Sequence, residues 1–279
     1  MFDWPGGKRL AVYLALNVES FAFGTGTGPT LTPAGDPPNS EHRKFAWRDY
    51  GQRVGIWRMV DAFTERKLPV SYLLNAYCCQ EYPEIVDSIK QRGEEVVGHG
   101  RSNSEMQGGM LEVQEKQLID DATATLTETF GVQPRGWMSP GATQSSVTLD
   151  LLKEAGYEYS LDWPLDDQPI WLDTRSGPIL SVPYPLAIND YPNVLSRAHT
   201  SEEYARMALD QFDEMLEESA RYPLVYGLSL HTFISGQPHQ LRALKPVLDR
   251  IAGCRSDIWL TSPGHIATHV ARQEPHDKD

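Results

Sequence analysis

An α/β fold built on a parallel sheet, closed or nearly closed into a (β/α) barrel of seven or eight units, is what this sequence predicts. Three observations predict it. Seven or eight short apolar runs alternate with helix-like segments. Two of the runs, Leu10–Leu16 and Leu224–Leu230, are hydrophobic almost throughout, as strands covered on both faces must be. No Ser/Gly-rich or charged linker divides the 279 residues, so one domain spanning 1–279 is expected, and this many units favour a barrel over an open sheet.

In chain order, Leu10–Leu16 is the first strand, and a Gly/Pro/Thr-rich stretch from Gly24 to Asn39 reads as a long loop after it. A helical pattern over Arg53–Arg66 leads to a strand at Pro69–Leu74, then a helix at Glu84–Arg92 with Gly93 as its C-cap. The strand Glu95–Val97 precedes a long helix, Glu112–Phe130, closed by Gly131. Arg135–Met138, a helix at Ser146–Glu154, Tyr157–Leu161 and Ile179–Pro183 continue the alternation. Ser201 reads as an N-cap before Glu202–Arg221, with acids in the first turn. Leu224–Leu230, a helix at Leu241–Ile251 and Ile258–Leu260 complete the pattern.

Composition excludes several classes. A net charge of -13 would be repelled by nucleic acid and by an anionic membrane surface. No run approaches the roughly 20 apolar residues of a membrane helix, and the first residues lack the pattern of a secretory signal. Cys78 and Cys79 are adjacent and Cys254 is remote, which matches neither a disulfide framework nor zinc-type spacing. A reducing cytoplasm is expected.

In an α/β barrel, chemistry sits at the carboxyl ends of the strands. The first run ends in Asn17 and Glu19, and the second in Asn75. "GHGRSNSE" follows the third, with His99, Asn103 and Glu105. "RGWMSPG" brings Arg135 and Trp137, and "SLDWPLDD" brings Asp162, Trp163, Asp166 and Asp167. The seventh run ends in His231, and His239 stands just before the next helix, where it either caps that helix or faces the site. One polar residue at a strand end is ordinarily a cap or a turn. Six ends that converge on acid, base and amide groups point to hydrolysis: a carboxylate deprotonates water, and a histidine protonates a leaving nitrogen.

These strand-end residues resemble the polysaccharide deacetylase (NodB-homology) superfamily over nearly the whole chain. The resemblance implies a distorted (β/α) barrel that hydrolyses C–N bonds. It matches Glu19 to the first acid of the family's leading motif and Ser20 to the second, metal-binding one. It matches His99 to the first histidine of His-x-x-x-His, puts Asn103 where the second should be, and matches His231 to the late general acid. Serine hydroxyl and amide oxygen are weak zinc ligands, so two of three usual ligands are changed.

The segments "LNVES", "GHGRSNSE", "DWPLDDQP" and "HTFISGQP" are similar to a metal-independent branch containing allantoinases and cyclic imide hydrolases. So is Tyr50-Gly51-x-Arg53-x-Gly55-x-x-Arg58, although the branch has a second glutamate where Ser20 stands. The resemblance implies an enzyme that opens a small cyclic amide, imide or ureide. Glu19 is the candidate base, and His231 the candidate acid or the holder of the water. His99, Asn103 and Arg53 are candidate donors to the substrate carbonyls. Asn17, Asn75 and Asp162 are further substrate-binding candidates, and Trp137 and Trp163 could wall a flat ring. Arg58 reads as a partner of acids on the outer helices. No cofactor is expected. The alternative is weakly held zinc on Glu19, His99 and Glu105, in an N-deacetylase of amino sugars. An inactive, ligand-binding barrel is a third reading. The expected partner is a small-molecule substrate, and the resemblance suggests a homodimer or homotetramer.

Overall fold

The structure is a computed structural model that describes residues 2–24 and 41–276, so most of the loop expected from Gly24 to Asn39 lies outside the described residues. Among the described residues, nine strands are interspersed with helices. In order they are β1 (Leu10–Val18), α1 (Glu41–Tyr50), α2 (Ile56–Glu65), β2 (Ser71–Leu74), α3 (Cys78–Glu81), α4 (Pro83–Arg92) and β3 (Val96–Gly98). Then follow α5 (Glu112–Phe130), β4 (Gly136–Trp137), α6 (Thr148–Glu154), β5 (Tyr159–Ser160), β6 (Ile170–Leu172) and β7 (Ile179–Ser181). The last are α7 (Ser201–Glu218), β8 (Leu224–His231), α8 (Pro238–Gly253), β9 (Ile258–Leu260) and α9 (Pro263–Gln273).

These elements form two compact units. The first comprises Met1–Asn17, Pro29–Val70 and Pro185–Ser262; the second comprises Val18–Gly28, Ser71–Tyr184 and Pro263–Asp279. In the first unit, β1 pairs in parallel with β8 from Leu10↔Leu224 to Asn17↔His231, and β9 pairs with the start of β1 at Leu10↔Ile258. Every residue of β1 and β8 is buried, which is why both read as unbroken apolar runs. The pairing register places Asn17 beside His231 at the strand ends. In the second unit, β2, β3, β4, β5 and β7 pair in parallel in that order, and β6 lies antiparallel on β7.

All eight expected strands are present. β6 adds a ninth, whose three half-buried residues are too short to show a period. α1, α3 and α9 were not anticipated. The expected helix Arg53–Arg66 is interrupted at its start, because Gly51–Gly55 forms a π-helical turn between α1 and α2. The C-caps Gly93 and Gly131 take left-handed backbone, with φ of 64° and 75°. At α7 the cap is Thr200, not Ser201: Thr200 Oγ1 accepts from the Glu203 backbone, and the Glu203 carboxylate accepts from Thr200 N–H. α8 starts at Pro238, so His239 is an exposed first-turn residue rather than a group preceding the helix.

Candidate active site

The second unit gathers its polar residues where β1, β2 and β3 end. Glu19, 5% exposed, follows directly on β1. Its Oε1 accepts from Asn103 Nδ2 at 2.5 Å and lies 3.4 Å from His99 Nε2. The His99 ring is fixed from behind: Nδ1 lies 2.7 Å from the Met138 carbonyl, which can only accept, so Nδ1 carries a proton and Nε2 is the nitrogen turned to Glu19. Asn103 is fixed too. Its Oδ1 accepts from Asn75 Nδ2 at 3.1 Å, which obliges its NH₂ to face the carboxylate. Asn75 also donates to the His99 carbonyl and accepts from Ser20 N–H at 2.8 Å, while Ser20 O accepts from Asn103 N–H at 2.9 Å. Three loops thus lock together around one carboxylate through amides alone. Ser20 Oγ, in turn, donates to Glu81 Oε2 at 2.6 Å.

Asp162 lies next to this group. One oxygen accepts from Ser139 N–H at 2.7 Å, and the other from Ser139 Oγ at 2.9 Å and Ser160 Oγ at 3.2 Å. Burial pushes its carboxyl up to about 6, although those donors and the positive field of His99 pull the other way.

In the first unit, His231 closes β8 with Nδ1 2.6 Å from Asp190 Oδ1. Asp190 Oδ2 accepts from His231 N–H at 2.8 Å and Ser235 Oγ at 2.6 Å, and Asp190 is wholly buried. The carboxylate therefore sets both the tautomer and the tilt of the imidazole, leaving Nε2 as the nitrogen for proton exchange. Tyr191 and Phe233 flank the ring, with centroids 5.1 and 6.0 Å away. Sequence reasoning missed Asp190. It lies beyond β7, in a stretch with no periodicity, and only the "IND" turn composition before Tyr191 hinted at it.

The family model for polysaccharide deacetylase matches residues 47–160. A Schizosaccharomyces pombe protein named as a polysaccharide deacetylase is 24% identical over 287 residues, covering 97% of this chain and 88% of its own length. The crystal structure of PuuE allantoinase is similar at a TM-score of 0.86 and 25% identity, over 98% of this chain and 94% of that one. A structure described as a polysaccharide deacetylase from Pseudomonas aeruginosa PAO1 reaches 0.86 and 27%, over 98% and 95%. Residues 47–160 thus match a polysaccharide deacetylase domain, and the chain is similar over nearly its whole length to proteins described as deacetylases and to an allantoinase. Its fold is the α/β barrel type of those deacetylase and allantoinase structures, and the domain match supports hydrolysis of C–N bonds.

The metal centre of the wider polysaccharide deacetylase family does not fit the residues present. Ser20 turns its hydroxyl to Glu81, and Asn103 presents N–H donors, not an oxygen, toward Glu19. The alternative set of Glu19, His99 and Glu105 is not assembled either. Both Glu105 oxygens are taken by Arg101, whose Nε and Nη2 donate at 3.1 and 2.5 Å. Among the described residues, no cluster of three or more His, Cys, Asp or Glu side chains is placed to hold an ion.

Several strand-end candidates turn out to hold the scaffold. Trp137 is wholly buried, edge-on to Tyr157 at 5.3 Å, with its indole N–H on Gln107 Oε1, so it offers no surface to a ligand. Asn75 is likewise buried and spends its amide on the relay described above. Asn17 Nδ2 donates to Ser229 Oγ and Leu230 O, both at 3.1 Å, tying β1 to β8. Arg135 grips Glu158 with two nitrogens, and Asp166 and Asp167 are exposed. The Arg53 side chain is 72% exposed and 3.9 Å from Asp49, and Trp163 is 38% exposed. Among the described residues Arg58 is paired with no acid: it donates to the Tyr50 hydroxyl and, at 3.4 Å, to the Gly236 carbonyl.

Proposed function

We propose that the chain hydrolyses a small cyclic amide, imide or ureide, with Glu19 as the base and His231 as the acid. The observation that carries this reading is the Glu19 carboxylate, buried at the end of β1, held by the Asn103 amide and 3.4 Å from His99 Nε2. The Asn103 N–H donated to one oxygen favours the ionised form, the state a base needs. Glu19 takes a proton from water as the water oxygen bonds to the ring carbonyl carbon. The C–N bond then breaks, and the leaving nitrogen takes its proton from His231 Nε2. An N–H donor such as that of Asn103 suits the tetrahedral oxyanion. Arg53 and Trp163, both exposed, remain the candidates for contacting the substrate's outer atoms. The roles of Glu19 and His231 are those the family motifs imply.

On this reading the enzyme works without a bound metal, on a small molecule, in the cytoplasm and as a homodimer or homotetramer. No helix among the described residues is long and apolar enough to cross a membrane. The test is turnover of allantoin, hydantoin, succinimide and dihydrouracil, with and without prolonged chelation. Ring opening that survives chelation is expected. Acetate release from chitooligosaccharides that stops in chelator and returns with zinc would instead make this an N-deacetylase, the activity named in its yeast relative.

A further inference from the structure

The pattern Tyr50-Gly51-x-Arg53-x-Gly55-x-x-Arg58 stands out in the sequence, yet the reaction above gives most of it no task. Its glycines face the turn that follows His231. A Cβ on Gly51 would sit 2.6 Å from Thr232 Oγ1, and one on Gly55 would overlap the Thr232 carbonyl oxygen. A Cβ on Gly236, across the contact, would lie 2.5 Å from Gly55 Cα. Only three glycines allow two backbones to approach so closely. The π-helical turn at Gly51–Gly55 brings this glycine face round, and such turns recur at functional sites.

Arg58 locks the contact. Its Nη1 donates to the Gly236 carbonyl and to the Tyr50 hydroxyl, and its guanidinium stands 5.9 Å from the Tyr50 ring centroid. From α1, Trp47 meets Phe233 edge-on at 5.4 Å, and Phe233 in turn borders the His231 ring. Gly236 is one residue from Ser235, whose hydroxyl donates to Asp190 Oδ2, and Asp190 Oδ1 holds His231 Nδ1. The turn is closed by Ile234 N–H and Ser235 N–H, which both donate to the His231 carbonyl, at 3.1 and 2.9 Å.

We propose that Arg58 is a positioning residue for His231. It clamps Gly236 so that the 232–236 turn keeps Ser235 on Asp190 and Asp190 on the imidazole. This rests on the reading of His231 as the acid, so the experiment carries one readout that needs no substrate. In ¹⁵N-histidine-labelled protein, the His231 Nδ1–H proton reports the bond to Asp190, and kcat and KM report its consequence. Arg58→Met, which keeps the stem and removes the donors, should shift or broaden that resonance. It should also lower kcat about tenfold while KM moves less than about twofold. Arg58→Lys, still able to donate to Gly236, should recover part of both.

A folded Arg58→Met protein with an unmoved resonance overturns the proposal, whatever its activity, and so does a moved resonance with unchanged kcat. Should Arg58→Met fail to fold, Tyr50→Phe, which removes only the hydroxyl beside Arg58, is judged by the same criteria. If none of the cyclic amides is turned over, the proposed reaction fails, and the resonance alone decides the fate of the clamp.

Discussion

Two buried groups, one in each unit, are held in opposite ways. Glu19 is a carboxylate met by the neutral Asn103 amide, with His99 Nε2 3.4 Å away, on loops after β1, β2 and β3. His231 is a base held by an anion, the wholly buried Asp190, with the Ser235 hydroxyl on that carboxylate. On the proposed reaction, the first arrangement keeps a carboxylate ready to receive a proton, and the second orients an imidazole that must give one. A pair of groups whose environments differ in this sense is how a protein divides base from acid at one pH.

The sharpest way to break the comparison is Glu19→Gln. The amide is isosteric but cannot take a proton, and it sets an N–H or a weaker oxygen against Asn103. Turnover of the cyclic amide should fall by at least about a thousandfold, while the thermal unfolding midpoint stays within a few degrees. Steady-state kinetics beside a melting curve checks this, and a variant retaining a tenth of the activity would remove Glu19 as the base.

Asp162 provides a contrasting carboxylate in the same unit. It accepts from a backbone N–H and two hydroxyls, yet burial still lifts it from 3.8 to about 6. A group whose folded value is raised stabilises the fold fully below its unfolded value and loses that contribution as pH climbs through the folded value. Between about pH 4 and 6, then, ionising Asp162 should remove about 3 kcal/mol of stability. Asp162→Asn keeps an oxygen for Ser139 N–H and can donate to hydroxyls that rotate to accept. Denaturant unfolding at a series of pH values should show that slope in the native protein and lose it in the variant. Equal slopes would mean that Asp162 does not titrate there.

Glu19, His99 and His231 stood out in the sequence as candidates because each interrupts or ends an apolar run. What the runs could not show was which side chains turn back into the core. Trp137 and Asn75 also stand at strand ends, but they are spent on packing and on the relay, since strand alternation alone does not reveal partners. Asp190 was invisible for the opposite reason: its importance lies entirely in a tertiary contact 41 residues along the chain. The π-helical turn was hidden as well. Gly51 and Gly55 are demanded by the approach of Thr232 and Gly236, not by local propensity.

On the histidine side, Asp190→Asn is the next step down in effect. The amide can still serve Ser235 and the His231 backbone with its oxygen, but its NH₂ then faces Nδ1. The ring must accept there and place its proton on Nε2, so an oriented, charge-supported imidazole becomes a fixed neutral one. A loss of about a hundredfold in kcat is expected, with KM little changed. A loss confined to KM would show that Asp190 shapes binding instead.

The carboxylate side offers the smallest and most discriminating change, Asn103→Asp. Asn103 now gives Glu19 a donor at 2.5 Å, with its orientation dictated by Asn75. An aspartate there faces Glu19 with an acceptor, and two carboxylates at that distance cannot both ionise without a shared proton. The proton held between them occupies the base, so Glu19 becomes available only at higher pH. The acid limb of kcat/KM should therefore move upward, with a loss of about tenfold at pH 7 that shrinks as pH rises. His99 and Met138 are untouched, so the imidazole stays where it is and the change reads the anion alone. A pH-independent loss would mean that Asn103 serves the substrate rather than Glu19, and the contrast between the two centres would then rest on Asp190 alone.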